Sequence, residues 1–429
     1  MFVRAERVKS FCQPITQTGD GITVSQTTEP TKVLFYSHDT FGLGHIRRTL
    51  SICEAVSKTL EKASVLVLTG SSAVHSLRIP QGVDYVKLPC VTKMGNGQYK
   101  SKFLPLDFEA LLKLREELIF STAATYSPDL VFVDNVPIGM KGEMVKTLRH
   151  LRDLRPETRT ILTLRDVLDN PERMIADWEA SSVYEAIELF YDRVLIYGSP
   201  EVFDIVAEYR LPPRVAAKVE YLGYIRHPTH EGASASIRRR FVPDDEKLVL
   251  VTVGGGGDGF EIISNYLTGL LSAEPDVPTH SLVVLGPDMS ESSRASLQSR
   301  YGQNRRSTDR PRITLADCYG DLTDFIEAAD VVVSMGGYNT MCEILSLSKQ
   351  AVIVPRVKPR LEQWIRCRRL AELGLVRVVH PDEMTPQRLI DEVVQSLADQ
   401  TLRSTGLLTF DGLDQACAIV GADCAMNRS

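Results

Sequence analysis

The sequence predicts an α/β protein with two doubly wound domains, each built on a parallel sheet with helices on both faces. Three observations support this prediction. Short apolar runs alternate with amphipathic helical stretches along most of the chain, which is the pattern of successive βαβ units. The runs are almost entirely apolar, as expected for strands that are covered on both faces. The chain has 429 residues, a length typical of two or three domains.

The composition narrows the classes of function that this chain can have. The formal net charge is −6, with 43% hydrophobic and 24% charged residues, which disfavours a globally basic nucleic-acid-binding protein. The longest apolar runs, such as Leu248–Val253, are strand-sized and too short to span a membrane. The eight cysteines form no Cys-x-x-Cys pair, and the N-terminal residues lack the apolar core of a signal peptide. We therefore expect a cytoplasmic protein with free thiols.

The first half of the chain begins with residues 1–30, a polar stretch interpreted as a flexible leader, and continues as a domain over residues 31–225. The first βαβ unit consists of a strand at Lys32–Ser37, a glycine-rich turn, a helix at Ile46–Leu60 and a strand at Ser64–Leu68. Three further strands are predicted in this half, at Asp129–Val133, Thr160–Leu164 and Arg193–Tyr197.

The second half follows an irregular stretch, residues 226–245, that contains glycine, proline and small residues and is interpreted as an interdomain linker. Residues 246–429 form the second domain, which ends in closing helices. Its strands are predicted at Lys247–Val253, Ser281–Leu285, Arg312–Leu315, Val331–Ser334, Ala351–Pro355 and Arg377–His380. Two facing sheets of this kind place the carboxyl ends of their strands across one cleft, where α/β proteins bind ligands.

Three strands are followed by glycine clusters that suit close approach of a ligand. The clusters include Gly42 and Gly44, then Gly255 and Gly256, and finally the pair Gly336–Gly337. A helix that begins after such a turn directs free N–H groups and the positive end of its dipole at an anion. Two such turns in the second domain suit a diphosphate, and Asn339 and Thr340 add side-chain donors. No Walker motif is present, and a plain tight turn is the alternative for each cluster.

The candidate catalytic groups follow strands of the first domain. His45 follows the first glycine-rich turn and begins a helix, so a neutral imidazole there would be a suitable general base. Asp134 ends the next strand and would either orient His45 or act as the base itself. Arg165 and Asp166 end the following strand, where they would bind an acceptor. The alternatives are a structural histidine, a turn-forming aspartate, and an ordinary strand-end pair.

These motifs resemble glycosyltransferase family 28. The resemblance lies in the stretch from Ala329 to Glu343, in Val354-Pro355-Arg356, in Glu362-Gln363, and in the first glycine-rich loop that ends at Gly44-His45. The family includes the lipid II-forming N-acetylglucosaminyltransferase of peptidoglycan synthesis, and the similarity extends to predicted bacterial glycosyltransferases related to that enzyme. It implies a GT-B fold, in which two Rossmann-like domains face each other across a cleft.

The resemblance also implies how the donor is held. Glu343 matches the acidic residue that accepts hydrogen bonds from the ribose hydroxyls, and Tyr319 lies where a backbone group contacts the uracil. Gly336, Gly337, Asn339 and Thr340 match the diphosphate contact. Glu362 and Gln363 match a pair of glutamines that holds donor-sugar hydroxyls, and Arg356 would supply a further diphosphate ligand. Glu343 as a solvated helix residue and Glu362 as a surface carboxylate are the alternatives.

The predicted activity is that of an inverting glycosyltransferase that moves a hexose or N-acetylhexosamine from a UDP-sugar to a hydroxyl acceptor. No metal or other cofactor is expected, since no Asp-x-Asp pair occurs near a strand end of the second domain. The acceptor is lipid-linked or a metabolite. The basic and apolar stretch Lys87–Phe103 suggests at most peripheral contact with the inner membrane face, and the favoured alternative for it is a mobile acceptor loop with ordinary lysines. The alternatives are a nucleotide-sugar epimerase or hydrolase on this fold, and a non-catalytic nucleotide-sugar-binding protein.

Overall fold

The structure is a computed structural model, which describes residues 29–38, 44–60, 62–94, 98–242, 246–273, 278–302, 312–317, 322–399 and 406–426. The predicted leader, residues 1–30, lies almost entirely outside these ranges. Two parallel sheets with helices around them make up the described chain, so the predicted fold class is confirmed.

The N-terminal sheet has seven parallel strands in the order β3-β2-β1-β6-β7-β8-β9. A separate antiparallel hairpin, β4–β5, lies between the third and sixth strands in the chain. The strands are β1 (Thr31–Ser37), β2 (Ala63–Thr69), β3 (Val83–Lys87), β4 (Val91–Lys93), β5 (Tyr99–Ser101), β6 (Leu130–Asp134), β7 (Arg159–Arg165), β8 (Arg193–Tyr197) and β9 (Val219–Gly223).

The C-terminal sheet has six parallel strands in the order β12-β11-β10-β13-β14-β15. In both sheets the order reverses beside the first strand of the domain, which creates the switch point where doubly wound sheets bind ligands. The strands are β10 (Lys247–Thr252), β11 (Thr279–Val284), β12 (Arg312–Ala316), β13 (Val331–Ser334), β14 (Gln350–Ile353) and β15 (Arg377–Val378).

Helices connect the strands. In the N-terminal half they are α1 (Gly44–Thr59), α2 (Phe108–Tyr126), α3 (Val145–Leu154), α4 (Pro171–Ala180), α5 (Val183–Phe190), α6 (Ile205–Glu208) and α7 (Pro213–Ala216). In the remainder they are α8 (Ala233–Phe241), α9 (Phe260–Ala273), α10 (Glu291–Tyr301), α11 (Leu322–Ala328), α12 (Tyr338–Ser346), α13 (Glu362–Glu372), α14 (Pro386–Ala398) and α15 (Gly412–Met426).

The hydrophobic core follows the two-residue period of strands that are buried on both faces. In β1, Val33 and Phe35 pack into one cluster, while Leu34 and Tyr36 pack into another on the opposite face. The strand β10 alternates in the same way between the first cluster and a third. The first cluster contains residues of both domains, so apolar packing continues across the domain boundary.

Two segments differ from the predicted domain organisation. The linker, residues 226–245, contains α8, which packs on α11, and its Arg238 donates to the Ala328 carbonyl oxygen and contacts Asp330. The predicted C-terminal domain includes α15, but this helix packs on α1 and β9 of the N-terminal domain. An ion pair between Arg193 and the buried Asp423 fixes it there. The N-terminal domain is therefore completed by a segment that follows the C-terminal domain in the chain.

Candidate active site

The start of α1 brings a histidine, a carboxylate and an arginine together. His45 lies in the first turn of α1 and Asp134 ends β6, the strand beside β1. Their Nδ1 and Oδ2 atoms are 2.8 Å apart. Arg48 lies one helical turn after His45, and its Nη2 donates to Asp134 Oδ1 over 2.5 Å. Asp134 thus uses one oxygen for each partner, and this arrangement is called the base triad below.

The charges of the base triad favour an ionised Asp134 and a neutral His45. Burial would favour the neutral acid, but Arg48 and His45 together hold the pKa of Asp134 well below its usual value. Burial lowers the pKa of His45, and the positive charges of Arg48 and Arg165 lower it further. The hydrogen bond and negative charge of Asp134 act in the opposite direction and raise it. A neutral imidazole oriented by a carboxylate is a competent proton acceptor near neutral pH.

The predicted acceptor pair, Arg165 and Asp166, separates into two environments. Burial lowers the pKa of Arg165 to about 10, and its Nε has no hydrogen-bond partner within the described chain. Asp166 is fully buried and is bound by Arg366 of α13, with Nη2 to Oδ1 at 2.7 Å and Nε to Oδ2 at 2.8 Å. Tyr224 donates to the same carboxylate. The prediction that Asp166 binds an acceptor is therefore wrong, because its oxygens are committed to an interdomain ion pair.

The turn before α12 faces the start of α1 across the domain boundary. Gly336 has a φ of +78°, and a methyl group on it would lie 2.4 Å from Cys367 Sγ. A methyl group on Gly337 would meet open space, and one on Gly44 would lie 3.9 Å from the side-chain nitrogen of Asn339. Asn339 and Thr340 are partly exposed at the helix start. The free N–H groups of α12 therefore lie beside the start of α1.

The other glycine loop, which includes Gly255 and Gly256, packs against the end of β11. Methyl groups on these two residues would lie 2.6 Å from Asp288 Oδ2 and 2.1 Å from the Leu285 carbonyl oxygen. Gly256 also has a φ of +88°. Gly256 is therefore required by loop packing, which is an alternative that the sequence left open, whereas a methyl group on Gly255 would meet only a movable carboxylate.

Arg356 stands among three polar partners at the start of α13. Its backbone N–H donates to Gln363 Oε1 over 3.0 Å, and its guanidinium lies 3.4 Å from Glu362 and 3.5 Å from Asp258. Glu362 is 5% exposed, so it is not a surface carboxylate, and its Oε2 has no hydrogen-bond partner within the described chain. The cluster retains unsatisfied polar atoms that suit a hydroxylated ligand.

Glu343 lies on α12 and is partly buried. Its Oε1 accepts a hydrogen bond from Thr323 over 3.3 Å. Burial raises its pKa to about 7, an effect that Thr323 and the positive charge of Arg47 oppose. It is therefore not the solvated helix residue that the alternative interpretation required. A carboxylate in this environment gains from a ligand that donates hydrogen bonds to it.

Two predicted residues, Gly42 and Tyr319, lie outside the described residues. Sequence reasoning missed Arg48, Tyr338 and Arg366, which connect the two domains around the site. The His45-x-x-Arg48 spacing places both side chains on one helix face, a signal that was available. No sequence signal pairs Arg366 with Asp166, since they are 200 residues apart.

Within the described part of the chain, no group of three or more His, Cys, Asp or Glu side chains is placed to hold a metal ion. None of its helices is long and apolar enough to cross a bilayer. Five buried cysteines within the described ranges are free thiols: Cys53, Cys90, Cys342, Cys367 and Cys417.

Comparison with known sequences supports the predicted resemblance. Residues 249–405 match the family model of the glycosyltransferase family 28 C-terminal domain. An uncharacterized glycosyltransferase of Methanopyrus kandleri is 26% identical over 211 residues, or 48% of this chain and 55% of that protein. A second relative is the UDP-N-acetylglucosamine–N-acetylmuramyl-(pentapeptide) pyrophosphoryl-undecaprenol N-acetylglucosamine transferase of Rhodopseudomonas palustris. It is 27% identical over 211 residues, which are 48% of this chain and 55% of that protein. The chain spans about half the length of these curated relatives.

Comparison with solved structures extends the similarity to both domains. MurG of Acinetobacter baumannii superposes with a TM-score of 0.59 at 13% identity, covering 92% of this chain and 100% of that one. A chain of Listeria monocytogenes described as a UDP-N-acetylglucosamine 2-epimerase also has a TM-score of 0.59, at 12% identity, covering 92% and 96%. Residues 249–405 thus match the C-terminal domain of glycosyltransferase family 28, within a chain that has the GT-B fold.

Proposed function

We propose that this chain is an inverting glycosyltransferase that transfers a hexose or N-acetylhexosamine from a UDP-sugar to a hydroxyl acceptor without a metal ion. The observation that carries the proposal is the juxtaposition of two helix starts. The base triad at the start of α1 lies beside the start of α12, where Gly337 leaves open space. A general base and an anion-binding helix start are the two elements that transfer by direct displacement requires.

In the proposed reaction, His45 Nε2 accepts the proton of the acceptor hydroxyl. The hydroxyl oxygen attacks the anomeric carbon from the face opposite the leaving group, and the bond from that carbon to the diphosphate oxygen breaks. Asp134 holds Nδ1 and stabilises the imidazolium that forms. UDP leaves with the bonding electrons, and the N–H groups of α12 stabilise its charge together with Asn339 and Thr340. The configuration at the anomeric carbon is inverted.

The donor contacts are assigned by their chemistry. Glu343 accepts hydrogen bonds from the two ribose hydroxyls, which suit a carboxylate because it offers two charged acceptor atoms. Glu362 and Gln363 bind hydroxyls of the donor sugar, and the unsatisfied Oε2 of Glu362 supports this. Arg356, which already contacts Glu362, is placed to bridge the sugar and the diphosphate.

The proposed acceptor is carried on a lipid, with the protein in peripheral contact with the inner membrane face. The hairpin β4–β5 and the segment after it expose apolar side chains, of which Phe103 is 69% exposed and Leu104 43%. Lys100 and Lys102 are exposed beside them. An apolar surface with neighbouring cations suits a bilayer that contains anionic lipids.

A second candidate function is epimerisation or hydrolysis of a nucleotide sugar. The similarity to the Listeria monocytogenes chain favours this candidate, because that chain has the same fold and is described as an epimerase. The base triad would then act on the donor sugar, with no acceptor hydroxyl.

Single-turnover reactions with radiolabelled UDP-sugars, isolated acceptor lipids and the full chain test the proposal. Transfer gives labelled lipid, while the second candidate gives a free sugar or an epimer. A parallel reaction after dialysis against a chelator is expected to proceed at the same rate. Loss of transfer that magnesium or manganese restores would contradict the metal-independent mechanism, and absence of any labelled product would contradict catalysis.

A further inference from the structure

Tyr338 is a buried aromatic residue that joins the two domains at the candidate site. It is the first residue of α12 and is 5% exposed. Its hydroxyl donates a hydrogen bond to the carbonyl oxygen of Tyr197, over 3.0 Å. Tyr197 ends β8 of the N-terminal sheet. The residue that begins the C-terminal anion-binding helix is thus fixed directly to a strand end of the other domain.

Two arginines, one from each domain, lie against the Tyr338 ring. The guanidinium carbon of Arg48 is 5.7 Å from the ring centroid and that of Arg366 is 5.5 Å away. Both distances are within the range of cation–π attraction. Each arginine is already paired with a buried carboxylate, Arg48 with Asp134 and Arg366 with Asp166. Each guanidinium is therefore held in place beside the Tyr338 ring by a carboxylate of the N-terminal domain.

These contacts form an unbroken path from His45 to the glycine turn. His45 contacts Asp134, Asp134 contacts Arg48, and Arg48 contacts the Tyr338 ring. On the other side, Arg366 Nη1 lies 3.5 Å from the carbonyl oxygen of Gly336. A displacement of the α12 start would break the Tyr338 hydrogen bond and disturb the packing of Arg48 beside His45.

We infer that Tyr338 is a positioning residue that fixes the start of α12 relative to the base triad. This inference rests on the proposed function, in which α12 contacts the leaving diphosphate and His45 is the base. Transfer requires the acceptor oxygen and the anomeric carbon to approach within about 3–3.5 Å, and a misplacement of about 1 Å lowers the rate about 100-fold. Tyr338 prevents such a misplacement by joining the start of α12 rigidly to the base triad.

The packing of Tyr338 against Arg48 also affects the protonation of His45. The charged and titratable groups that face His45 are Asp134 on β6, Arg48 on α1, Arg165 at the end of β7 and His38 after β1, whose ring centroid is 6.3 Å away. His38 is buried, which lowers its pKa to about 3, so it is neutral. Replacing Tyr338 with a smaller side chain admits water beside Arg48. The burial and the positive charge that lower the pKa of His45 are then both weakened, so its pKa rises.

The test compares Tyr338→Phe and Tyr338→Leu with the wild-type chain by two measurements. NMR titration of ¹³C-labelled histidines, assigned with a His45→Gln variant, gives the pKa of His45. For Tyr338→Leu, we expect a rise of about half a unit or more. Turnover in the transfer assay is expected to fall about tenfold or more, with the donor KM within about twofold. Tyr338→Phe keeps the ring, so its His45 pKa should be unchanged and its turnover should fall less.

Tyr266→Leu is the matched control. Tyr266 on α9 is fully buried, and its hydroxyl is 2.7 Å from Ser281 Oγ within the C-terminal domain. This variant should lose stability but keep the wild-type pKa of His45. A folded Tyr338→Leu protein with an unchanged His45 pKa would overturn the inference. The titration needs no activity, so it tests Tyr338 even if the wild-type chain transfers no sugar and the proposed function fails.

Discussion

His45 uses Nδ1 to contact Asp134, which leaves Nε2 for a substrate proton. Asp134 is a poor base, because both its oxygens are engaged and its pKa is held low. We therefore expect His45→Ala to reduce turnover by about 10²–10⁴-fold, the usual contribution of general base catalysis. Asp134→Asn should cause a smaller loss. Calorimetry should give an unchanged UDP dissociation constant for His45→Ala, since the predicted UDP contacts lie on the other domain.

The pH dependence of turnover provides an independent check of the base. Activity requires neutral His45, so it should rise with pH through a value below the ordinary 6.5 of histidine. Asp134 raises the pKa of His45, so Asp134→Asn should move this acid limb to lower pH. A folded His45→Ala protein with normal turnover would contradict the assignment and favour Asp134 as the base.

The ionisation of Glu343 leads to a second prediction that depends on pH. Its pKa is raised to about 7, and the ionised form accepts hydrogen bonds better, so UDP should bind more tightly as the pH rises from 6 to 8. Glu343→Gln should weaken binding at pH 8 by about 1.5–3 kcal/mol and remove this part of the pH dependence. Calorimetry on both proteins isolates the effect, because titration of the UDP phosphate is common to both. Equal dissociation constants at pH 8 would exclude Glu343 from the site.

At the scale of elements, the turn between β13 and α12 offers two adjacent glycines with different surroundings. Gly336→Ala places a side chain at a positive φ against Cys367, and should destabilise the fold by at least about 1–2 kcal/mol. Gly337→Ala meets open space and should leave thermal unfolding unchanged. If α12 binds the diphosphate, the Gly337 methyl group enters the ligand space, so UDP affinity should fall. Normal UDP binding by Gly337→Ala would contradict the anion site.

The elements that the sequence predicted are those with a strong local pattern. Five of the seven strands of the N-terminal sheet and all six of the C-terminal sheet were predicted from nearly continuous apolar runs, and α12 from the glycine turn before it. The strands β3 and β9 were missed, because both are only partly buried and lack such a run. The helices α8 and α15 were missed or misassigned for different reasons. The first has a small-residue start, at Ala233-Ser234, that looks like a linker. The second finds its partners, α1 and β9, far away in the sequence, and its small apolar residues give little amphipathic signal.

The candidate site shows the same division between local and distant information. Strand-end position and residue chemistry were enough to select His45 and Asp134, which the structure brings within hydrogen-bond distance. The same reasoning failed for Asp166, because its partner Arg366 belongs to the other domain. Pairing across the domains decides which of two neighbouring polar residues remains available to a ligand. A single sequence does not contain that information.

At the scale of the whole molecule, the Arg366–Asp166 pair holds the two domains together. Both side chains are fully buried, so Arg366→Met leaves a buried carboxylate without its partner. We expect the free energy of unfolding to fall by about 3–5 kcal/mol. Adding Asp166→Asn to this variant should recover part of the loss. Lys58→Met, which breaks an exposed pair with Glu54, is the control and should cost less than about 0.5 kcal/mol.

Denaturant titration of these variants gives the comparison directly. An Arg366→Met protein as stable as the wild type would contradict a structural role for the pair. Equal losses in the single and double variants would show that the Asp166 charge is not the source of the instability.

The return of α15 to the N-terminal domain has a consequence for biosynthesis. During translation, β9 and the outer face of α1 emerge from the ribosome about 190 residues or more before the helix that covers them. The C-terminal domain lies wholly between these segments in the chain, so it can fold while the N-terminal domain is still open. Until α15 docks, the surfaces that will contact Ala416, Cys417 and Val420 remain exposed to water. Completion of the first domain therefore waits for synthesis of the second.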